Sequence, residues 1–257
     1  MAKEKAIMNW SGGKDSSLCL HRVLQSDKYD ITYLFTTLNQ EFNRISQHGV
    51  RADLLDKQSE KIGIPVIKLY LPDKPTMESY NRMMKEALSE LKGEQITTSL
   101  FGDIFLEDLR QYREERLSEI GFQACFPLWK QETSGLAIEF IESGFKAVVV
   151  CVDERYLDKS FVGREYDQSF LHDLPSGVDP CGENGEFHTY VYDGPIYNQP
   201  IRFSKGEIVY RTYIRPEKSD DAEGYTCGEN DHQPHPGTGF WYLDLIPPTP
   251  INKKIRG

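Results

Sequence analysis

The feature that most constrains the fold is a glycine-rich segment between a short apolar run and an amphipathic helix. It reads Ser11-Gly12-Gly13-Lys14-Asp15-Ser16-Ser17, after the strand-like run at 6–10 and before a helix predicted over 15–25. The two glycines permit positive φ and remove the Cβ atoms that would keep the backbone away from a ligand. Inward-facing N–H groups, the helix N-terminus, the hydroxyls and the lysine can together bind an anion. The segment therefore predicts a strand–loop–helix unit that binds phosphate.

This loop matches neither of the two common nucleotide motifs. G-x-x-x-x-G-K-[ST] and G-x-G-x-x-G are both absent. The simpler alternative is a Gly-Gly turn in which serine or aspartate caps a helix. Serines on both sides, a lysine, and a strand and helix in the right places favour phosphate binding.

The first half of the chain alternates strand-like and helix-like segments. Strands are predicted at 6–10, 31–38, 65–71, 96–105 and 122–128, and helices at 15–25, 50–62, 77–91 and 106–120. This alternation predicts an α/β fold, a doubly wound parallel sheet with helices on both faces.

The second half predicts a smaller α+β domain. Its elements are a helix at 135–143, a buried strand at 147–152, and antiparallel strands at 187–192 and 207–214. Beyond Pro216 the chain is polar and rich in proline and glycine up to an apolar run at 240–246, which we interpret as a tail or lid with one anchor. The predicted parts are an ATP-binding domain at 1–129, an acceptor-binding domain at 130–216 and a tail at 217–257.

Composition and charge limit the partners and the cellular compartment that we expect for this chain. The 257 residues carry a net charge of -10 with no basic patch, which disfavours binding to extended nucleic acid. No apolar run approaches the roughly 20 residues that span a bilayer. Five cysteines without a C-x-x-C pair, and no signal-peptide pattern, predict a reducing, cytoplasmic setting. The oligomeric state, including a homodimer, is left open.

The segment from Ser11 to Ser16 resembles the pyrophosphate loop of the N-type ATP pyrophosphatases. The resemblance implies an adenine nucleotide α-hydrolase-like fold with strand order 3-2-1-4-5, ATP with Mg²⁺, and an adenylated intermediate. The residues it places around the phosphates are Ser11, Gly12, Gly13, Lys14, Asp15 and Ser16.

A second set of residues resembles the diphthine–ammonia ligase family, including its bacterial relatives of unassigned substrate. The residues are Gly102-Asp103-Ile104, Arg110, Pro127-Leu128-Trp129 and Cys181-Gly182-Glu183-Asn184-Gly185-Glu186-Phe187-His188-Thr189. The match extends over about residues 6 to 215. In the more familiar ligases a carboxylate stands at the position of His188, so the acceptor stays open.

Gly102 and Asp103 end the predicted fourth strand, which lies beside the first strand at the switch point of such a sheet. Ligands bind at that point, so Asp103 is expected to face the phosphates with Mg²⁺ between them. The alternative is that Asp103 caps the helix from 106. Thr36 and His48 are further candidate nucleotide contacts, although His48 could equally cap the second helix.

Glu183, Glu186 and His188 are the candidate catalytic residues. Residues 186 and 188 share one face of a strand, so a carboxylate and an imidazole can converge there. Such a pair could orient an acceptor carboxylate or deprotonate an incoming ammonium. The alternative is a hairpin whose glutamates are merely solvated.

Together these features predict an AMP-forming C–N ligase that takes a small-molecule or modified-residue acceptor and ammonia. The rival interpretations are a tRNA-thiolating enzyme of the same fold and a nucleotide sensor without turnover. Cys227, His232 and His235 lack the spacing of a structural zinc site, so we do not predict one there.

Overall fold

The first half of the chain is a five-stranded parallel sheet in the order β3-β2-β1-β4-β5. The computed structural model describes residues 3–45, 48–72, 75–212 and 237–248. The strands are β1 (Glu4–Asn9), β2 (Tyr29–Asn39), β3 (Val66–Leu71), β4 (Thr98–Leu100) and β5 (Gln123–Cys125). The predicted fold class and strand order are confirmed.

Helices cover both faces of this sheet. The helices α1 (Lys14–Ser26) and α2 (Ala52–Ile62) pack on one face, and α3 (Met77–Leu91) and α4 (Glu107–Ser118) on the other. The central strand β1 sends Ala6 and Met8 to the first face and Ile7 to the second, all fully buried. Successive side chains of a strand alternate between faces, so an apolar run is what a sheet covered on both sides requires.

The second half forms an antiparallel sheet of four strands in the order β7-β6-β9-β8. The helices α5 (Thr133–Glu142) and α6 (Gln168–Asp173) accompany the strands β6 (Lys146–Asp153), β7 (Phe187–Asp193), β8 (Ser204–Thr212) and β9 (Gly239–Ile246). All of β6 after its first residue is buried. Its apolar side chains belong to the same core cluster as α1 and α2, so the two sheets share one core.

The strand β9 corrects the interpretation of the C-terminal segment. The run at 240–246 is not the anchor of a tail, because it pairs with β6 on one side and β8 on the other. The predicted boundary at 217 therefore leaves out an interior strand of the second sheet. The polar stretch before this strand hid the pairing, since an antiparallel partner need not be near in sequence.

The fourth strand is shorter than its apolar run. The prediction gave it residues 96–105, but β4 has only three residues. Ile96, Phe101 and Ile104 are nonetheless buried outside the strand. Apolar burial therefore continues through irregular backbone, which periodicity alone does not distinguish from a strand.

A fully buried glutamine joins the two halves. Gln58 of α2 accepts a hydrogen bond from the Trp10 indole at 2.9 Å and donates to the carbonyls of Gly12, at 2.9 Å, and Val191 of β7, at 2.7 Å. One amide thus connects β1, the glycine loop, α2 and β7. In the part of the chain that the structure describes, no helix is long and apolar enough to cross a membrane.

Replacing Gln58 with leucine should cost about 2 to 4 kcal/mol of unfolding free energy, because it leaves the buried indole N–H without a partner and removes one donor from each of the two carbonyls. Urea unfolding followed by tryptophan fluorescence measures the loss. The matched control is Gln111→Leu in α4, where the amide is exposed and bonds only Glu115. Equal stabilities of the two variants would contradict the bridging role.

Candidate active site

The glycine loop between β1 and α1 is shaped by close approaches of its backbone. Gly12 has a φ of +74°, and a Cβ there would lie 2.5 Å from the Gln58 side-chain oxygen. A Cβ on Gly13 would lie 3.1 Å from the carbonyl of Thr189. The positive φ and the short contact favour glycine at position 12, and a side chain at position 13 would require the Thr189 carbonyl to shift by a few tenths of an ångström. The loop is therefore built against the second sheet.

The loop and β7 are joined by backbone as well as side-chain bonds. Val191 N–H donates to the Gly12 carbonyl at 2.9 Å, and the Lys14 N–H donates to the Thr189 hydroxyl at 3.1 Å. The helix α1 starts here with Gly13 at its N-cap, a residue that has no side chain to cap the N–H groups that follow. The positive end of the α1 dipole is thus part of the site, as an anion site requires.

Serine hydroxyls line the turn. Ser11 Oγ and Ser16 Oγ lie 3.2 Å apart, and Ser16 Oγ donates to the Gly13 carbonyl at 3.0 Å. Both hydroxyls are oriented by the loop itself. Hydroxyls held in this way can turn toward phosphate oxygens without reordering the backbone.

Lys14 is buried at the contact between the two domains. Its ammonium donates to both oxygens of the Asp15 carboxylate, at 2.7 and 2.8 Å, and to the backbone carbonyl of Cys181. Burial opposes the charge, but the neighbouring Asp15 carboxylate outweighs it and the pKa of Lys14 is raised. A charged ammonium is therefore held where the loop meets the segment that contains the late motif, residues 179–189, which we call the C-terminal block.

The segment after β4 approaches the loop from the other side. A Cβ on Gly102 would lie 3.0 Å from the carbonyl carbon of Asp15 and 3.1 Å from the Ser16 nitrogen. This contact brings Asp103 beside the loop. One Asp103 oxygen pairs with Arg113 at 3.3 Å, and the other is buried without a hydrogen-bond partner among the described residues.

The Asp103 carboxylate suits a magnesium ion shared with a nucleotide. Within the described ranges, no group of three or more His, Cys, Asp or Glu side chains is arranged to hold a metal. Mg²⁺ is usually held by one or two carboxylates plus substrate phosphates, so a complete protein cage is not needed. The unpaired oxygen of Asp103 fits that arrangement. Cys227, His232 and His235 lie outside the described residues.

Glu183 comes from the C-terminal block and reaches the same place. Its carboxyl accepts hydrogen bonds from the N–H groups of Ile104, at 2.7 Å, and Phe105, at 3.4 Å. Burial and the nearby charges of Asp15 and Asp103 raise the pKa of Glu183 to about 8. A carboxyl group with such a pKa can hold or release a proton near neutral pH.

Glu186 is placed differently from Glu183, the other glutamate of the motif. It is 1 % exposed and accepts from the N–H groups of Asp179 and Asn184, at 3.0 Å each, and from the Asn184 amide at 2.9 Å. Its described bonds hold the turn from 179 to 186 and none goes to His188. The expected convergence of Glu186 and His188 is not found among these contacts.

His188 instead stacks on His48. The ring centroids are 4.4 Å apart, and His48 lies 3.3 Å from the Cβ position of Gly13. Burial lowers the pKa of His48 to about 4 and that of His188 well below its usual value, and the neighbouring Lys14 charge lowers both further. Two neutral imidazoles therefore cover the glycine loop.

The strand β9 holds the segment that carries His48. Arg44 and Arg51 both pair with Asp244 of β9, at 2.8 and 2.6 Å. A Cβ on Gly49 would lie 3.0 Å from the Tyr242 ring. The segment after β2 is thus pressed toward the loop from the second sheet.

The structure brings most of the predicted residues together, and their predicted roles stay predictions. The predicted residues that form the glycine loop or are linked to it through the contacts above are Ser11, Gly12, Gly13, Lys14, Asp15, Ser16, His48, Gly102, Asp103, Glu183 and His188. Thr36 is buried within β2, one residue beyond the pairing of Phe35 with Asn9, and its predicted nucleotide contact stays a prediction.

Sequence reasoning missed three contributors. Gln58 had a signal, because it sits among Leu54, Leu55 and Ile62 on the apolar side of α2, where a polar residue needs a partner. Thr189 ends the motif and lies on the same face of its strand as the apolar Phe187 and Val191, where a buried hydroxyl needs a partner. The Cys181 carbonyl has no signal, because a backbone acceptor carries no residue preference.

Comparison with known proteins gives two family matches. Residues 4–124 match the diphthamide synthase N-terminal domain, and residues 132–218 match the diphthamide synthase C-terminal domain. Together the two matches cover most of the chain.

Individual proteins agree with this. The chain is 25% identical to a diphthine–ammonia ligase of Danio rerio over 207 residues, covering 77% of this chain and 75% of that protein. It is 24% identical to a diphthine–ammonia ligase of Homo sapiens over 220 residues, covering 77% of this chain and 82% of that protein.

Among solved structures, a predicted subunit of tRNA methyltransferase from Methanocaldococcus jannaschii matches with a TM-score of 0.38 and 18% identity, covering 73% of this chain and 95% of that one. With both domains matched in order along its length, the chain belongs to the diphthamide synthase family.

Proposed function

We propose that this protein is an ATP-dependent amide ligase that adenylates an acceptor carboxylate and then transfers the acyl group to ammonia. Its family, and its similarity to proteins named diphthine–ammonia ligase, support the reaction class. The observation that carries the proposal is the direct contact between the glycine loop and the C-terminal block. The Lys14 ammonium bonds the Cys181 carbonyl, and Glu183 lies at the backbone of Ile104, next to Asp103.

The glycine loop would receive the phosphates that leave. Its oriented hydroxyls, its backbone donors and the α1 dipole suit a pyrophosphate group, which carries more charge after the α–β bond breaks than before. An acceptor oxygen attacks the α-phosphorus and pyrophosphate leaves. The product of this step is a mixed anhydride of the acceptor carboxyl group and AMP.

The second step needs a neutral amine and a base. Ammonia attacks the acyl carbon, AMP leaves with the former acceptor oxygen, and the nitrogen loses a proton. The neutral imidazole of His188 and the Glu183 carboxylate are the groups we assign to that proton, since both lie beside the loop. Asp103 would hold Mg²⁺, which supplies charge neutralisation on the phosphates when bound.

The bonds of Glu186 refine its part in this reaction. We assign it to holding the turn that presents Glu183, because its carboxylate is used by three donors inside that turn. The acceptor is a diphthine-like modified residue or a related small carboxylate.

The products decide the reaction class. With MgATP, ammonium and a diphthine-bearing acceptor, phosphorus NMR should give AMP and pyrophosphate in equal amounts. An ¹⁸O-labelled acceptor carboxylate should pass one label to AMP, because its oxygen attacked the phosphorus. Glu183→Gln should abolish amide formation and repeated pyrophosphate release, because the second step stalls, and should keep ATP binding, whereas the exposed Glu142→Gln in α5 should change none of these. ADP and orthophosphate as the main products would overturn the proposal.

Asp103 should set the magnesium dependence. Asp103→Asn keeps the shape and removes one ligand charge, so turnover should require about tenfold or more Mg²⁺ to reach half its maximum. Titration of Mg²⁺ at fixed ATP measures this. Glu107→Gln, exposed at the start of α4, is the control. An unchanged magnesium requirement in Asp103→Asn would place the metal elsewhere.

The raised pKa of Glu183 predicts a pH-dependent stability in the nucleotide-free protein. Between the ordinary glutamate value of 4.5 and about 8, the unfolded chain has released a proton that the folded protein keeps. Stability therefore falls as the pH rises through this window. The side chain in Glu183→Gln cannot ionise. The unfolding free energy of this variant should therefore exceed that of the unmodified protein by near zero below pH 4.5 and by about 2 kcal/mol above pH 8, which is a discounted fraction of the free energy that corresponds to the full pKa shift.

Urea unfolding at pH values from 4.5 to 8.5 measures that difference. Glu132→Gln is the control of opposite sign, because hydrogen bonds from Ser134 and Gly135 at the start of α5 lower the pKa of Glu132. Its stability difference should be constant above about pH 5, since the carboxyl is then ionised in both states. A pH-independent difference for Glu183→Gln would show that the carboxyl is already ionised in the folded protein.

A further inference from the structure

A cavity lies on the face of the parallel sheet that α3 and α4 cover, opposite the face that packs against α1. Its volume is about 410 Å³, and it opens between α3 and α4. Asn9 of β1 and Ser99 of β4 lie at its floor, and the Asn9 amide donates to the Ser99 hydroxyl at 2.7 Å and to the Leu100 carbonyl at 2.9 Å. The proposed reaction uses none of these groups. A volume of this size suits a small organic molecule.

The cavity is richer in cationic than in acidic side chains, although the whole chain is acidic. Four cationic residues line it, Arg82, Lys85, Arg113 and Arg116, against two acidic ones, Glu78 and Glu119. The surplus is local and positive. An anion entering here meets a field opposite to the one that the net charge of -10 would give.

Two of the arginines hold buried donors that the protein does not use. Arg113 pairs with Asp103 at 3.3 Å, and Arg116 pairs with Glu119 at 2.6 Å, in each case through a terminal nitrogen. The Nε atoms of both are buried and have no hydrogen-bond partner among the described residues. The Arg113 and Arg116 side chains are nevertheless 27% and 40% exposed, so their guanidinium groups are open to an acceptor placed in this cavity.

Aromatic rings fix the positions of these guanidinium groups. Arg113 lies over the Phe101 ring, with its guanidinium carbon 4.3 Å from the centroid, and Arg116 lies 5.8 Å from that of Tyr112. Buried Leu88 and Leu117 complete the apolar wall. A ligand must therefore combine an apolar body with an acceptor group that two guanidinium groups can reach.

The existing ion pairs limit the charge of that ligand. Asp103 and Glu119 already compensate much of the charge on Arg113 and Arg116, so a phosphate dianion would lack full neutralisation. A carboxylate carries one charge and two acceptor oxygens, which match the geometry of guanidinium donors. We propose that the cavity between α3 and α4 binds a small organic monocarboxylate with an apolar body, through Arg113 and Arg116.

The test uses the full chain and a matched pair of probes, 4-fluorobenzoate and the neutral 4-fluorobenzamide, followed by fluorine NMR. The benzoate should bind at least about tenfold more tightly than the amide, because only the benzoate forms charge-assisted hydrogen bonds. Arg113→Gln and Arg116→Gln should each weaken benzoate binding by about tenfold and leave amide binding unchanged. Addition of saturating MgATP should leave benzoate bound.

Arg164→Gln is the matched control. Arg164 also pairs with a carboxylate, Asp173 at 2.7 Å, and also lies beside an aromatic ring, that of Phe161, but it is in the second domain. It should bind benzoate as the unmodified protein does. Thermal melting checks that each variant is folded, and Arg116→Lys serves if the glutamine variants unfold, since it keeps the charge and loses the fork-shaped donor set.

Three results would overturn the proposal: no binding of benzoate, equal binding of benzoate and benzamide, or equal losses in Arg164→Gln and Arg116→Gln. Complete displacement of benzoate by MgATP would also overturn it, because the cavity would then belong to the nucleotide. The assay needs no turnover, so its outcome is independent of whether the protein is a ligase.

Discussion

The site depends on the close approach of the glycine loop to the edge strand of the other sheet. The Gly12 carbonyl accepts from both Gln58 and Val191, and the Lys14 N–H donates to Thr189. A side chain at Gly12 would collide with Gln58. The glycine loop therefore takes its shape from β7, and the proposed phosphate site would include the second sheet as well as the loop. Loss of this contact would separate Glu183 and His188 from the loop together.

Much of the fold could be predicted because the signals in the first half are local. The apolar runs and the helical periodicity predicted a doubly wound parallel sheet, the resemblance to the N-type ATP pyrophosphatases implied its strand order, and the two glycines marked the loop. The limits came from non-local pairing. In the sequence, the residues of β9 form an isolated apolar run, because no neighbouring segment indicates that β6 and β8 pair with it on either side. Strand β4 reads as too long, because Phe101 and Ile104 are buried in irregular backbone.

The same difference between local signals and non-local contacts applies to the candidate site. Asp103, Glu183 and His188 lie beside the glycine loop, because Asp103 follows the strand beside β1 and the late motif folds back onto the loop. Sequence spacing could not show how each side chain of that motif is used. Glu183 reaches the backbone after Asp103, whereas Glu186, three residues later, turns into its own loop. The partner of His188 is His48, from a segment 140 positions earlier that β9 holds in place through Asp244.

Charge balance links these placements to the proposed chemistry. Lys14 already pairs with Asp15, so its charge is largely compensated before any nucleotide binds. Asp103 and Glu183 then add acidic groups beside a loop that should hold a polyanion, and their mutual proximity is one reason why the pKa of Glu183 is raised. Such a site can accept triphosphate only if some negative charge is removed. A proton on Glu183 removes one charge, and a divalent cation on Asp103 removes more. The acidic pair beside the loop therefore supports the proposal of a metal-bound nucleotide over that of a free phosphate ion.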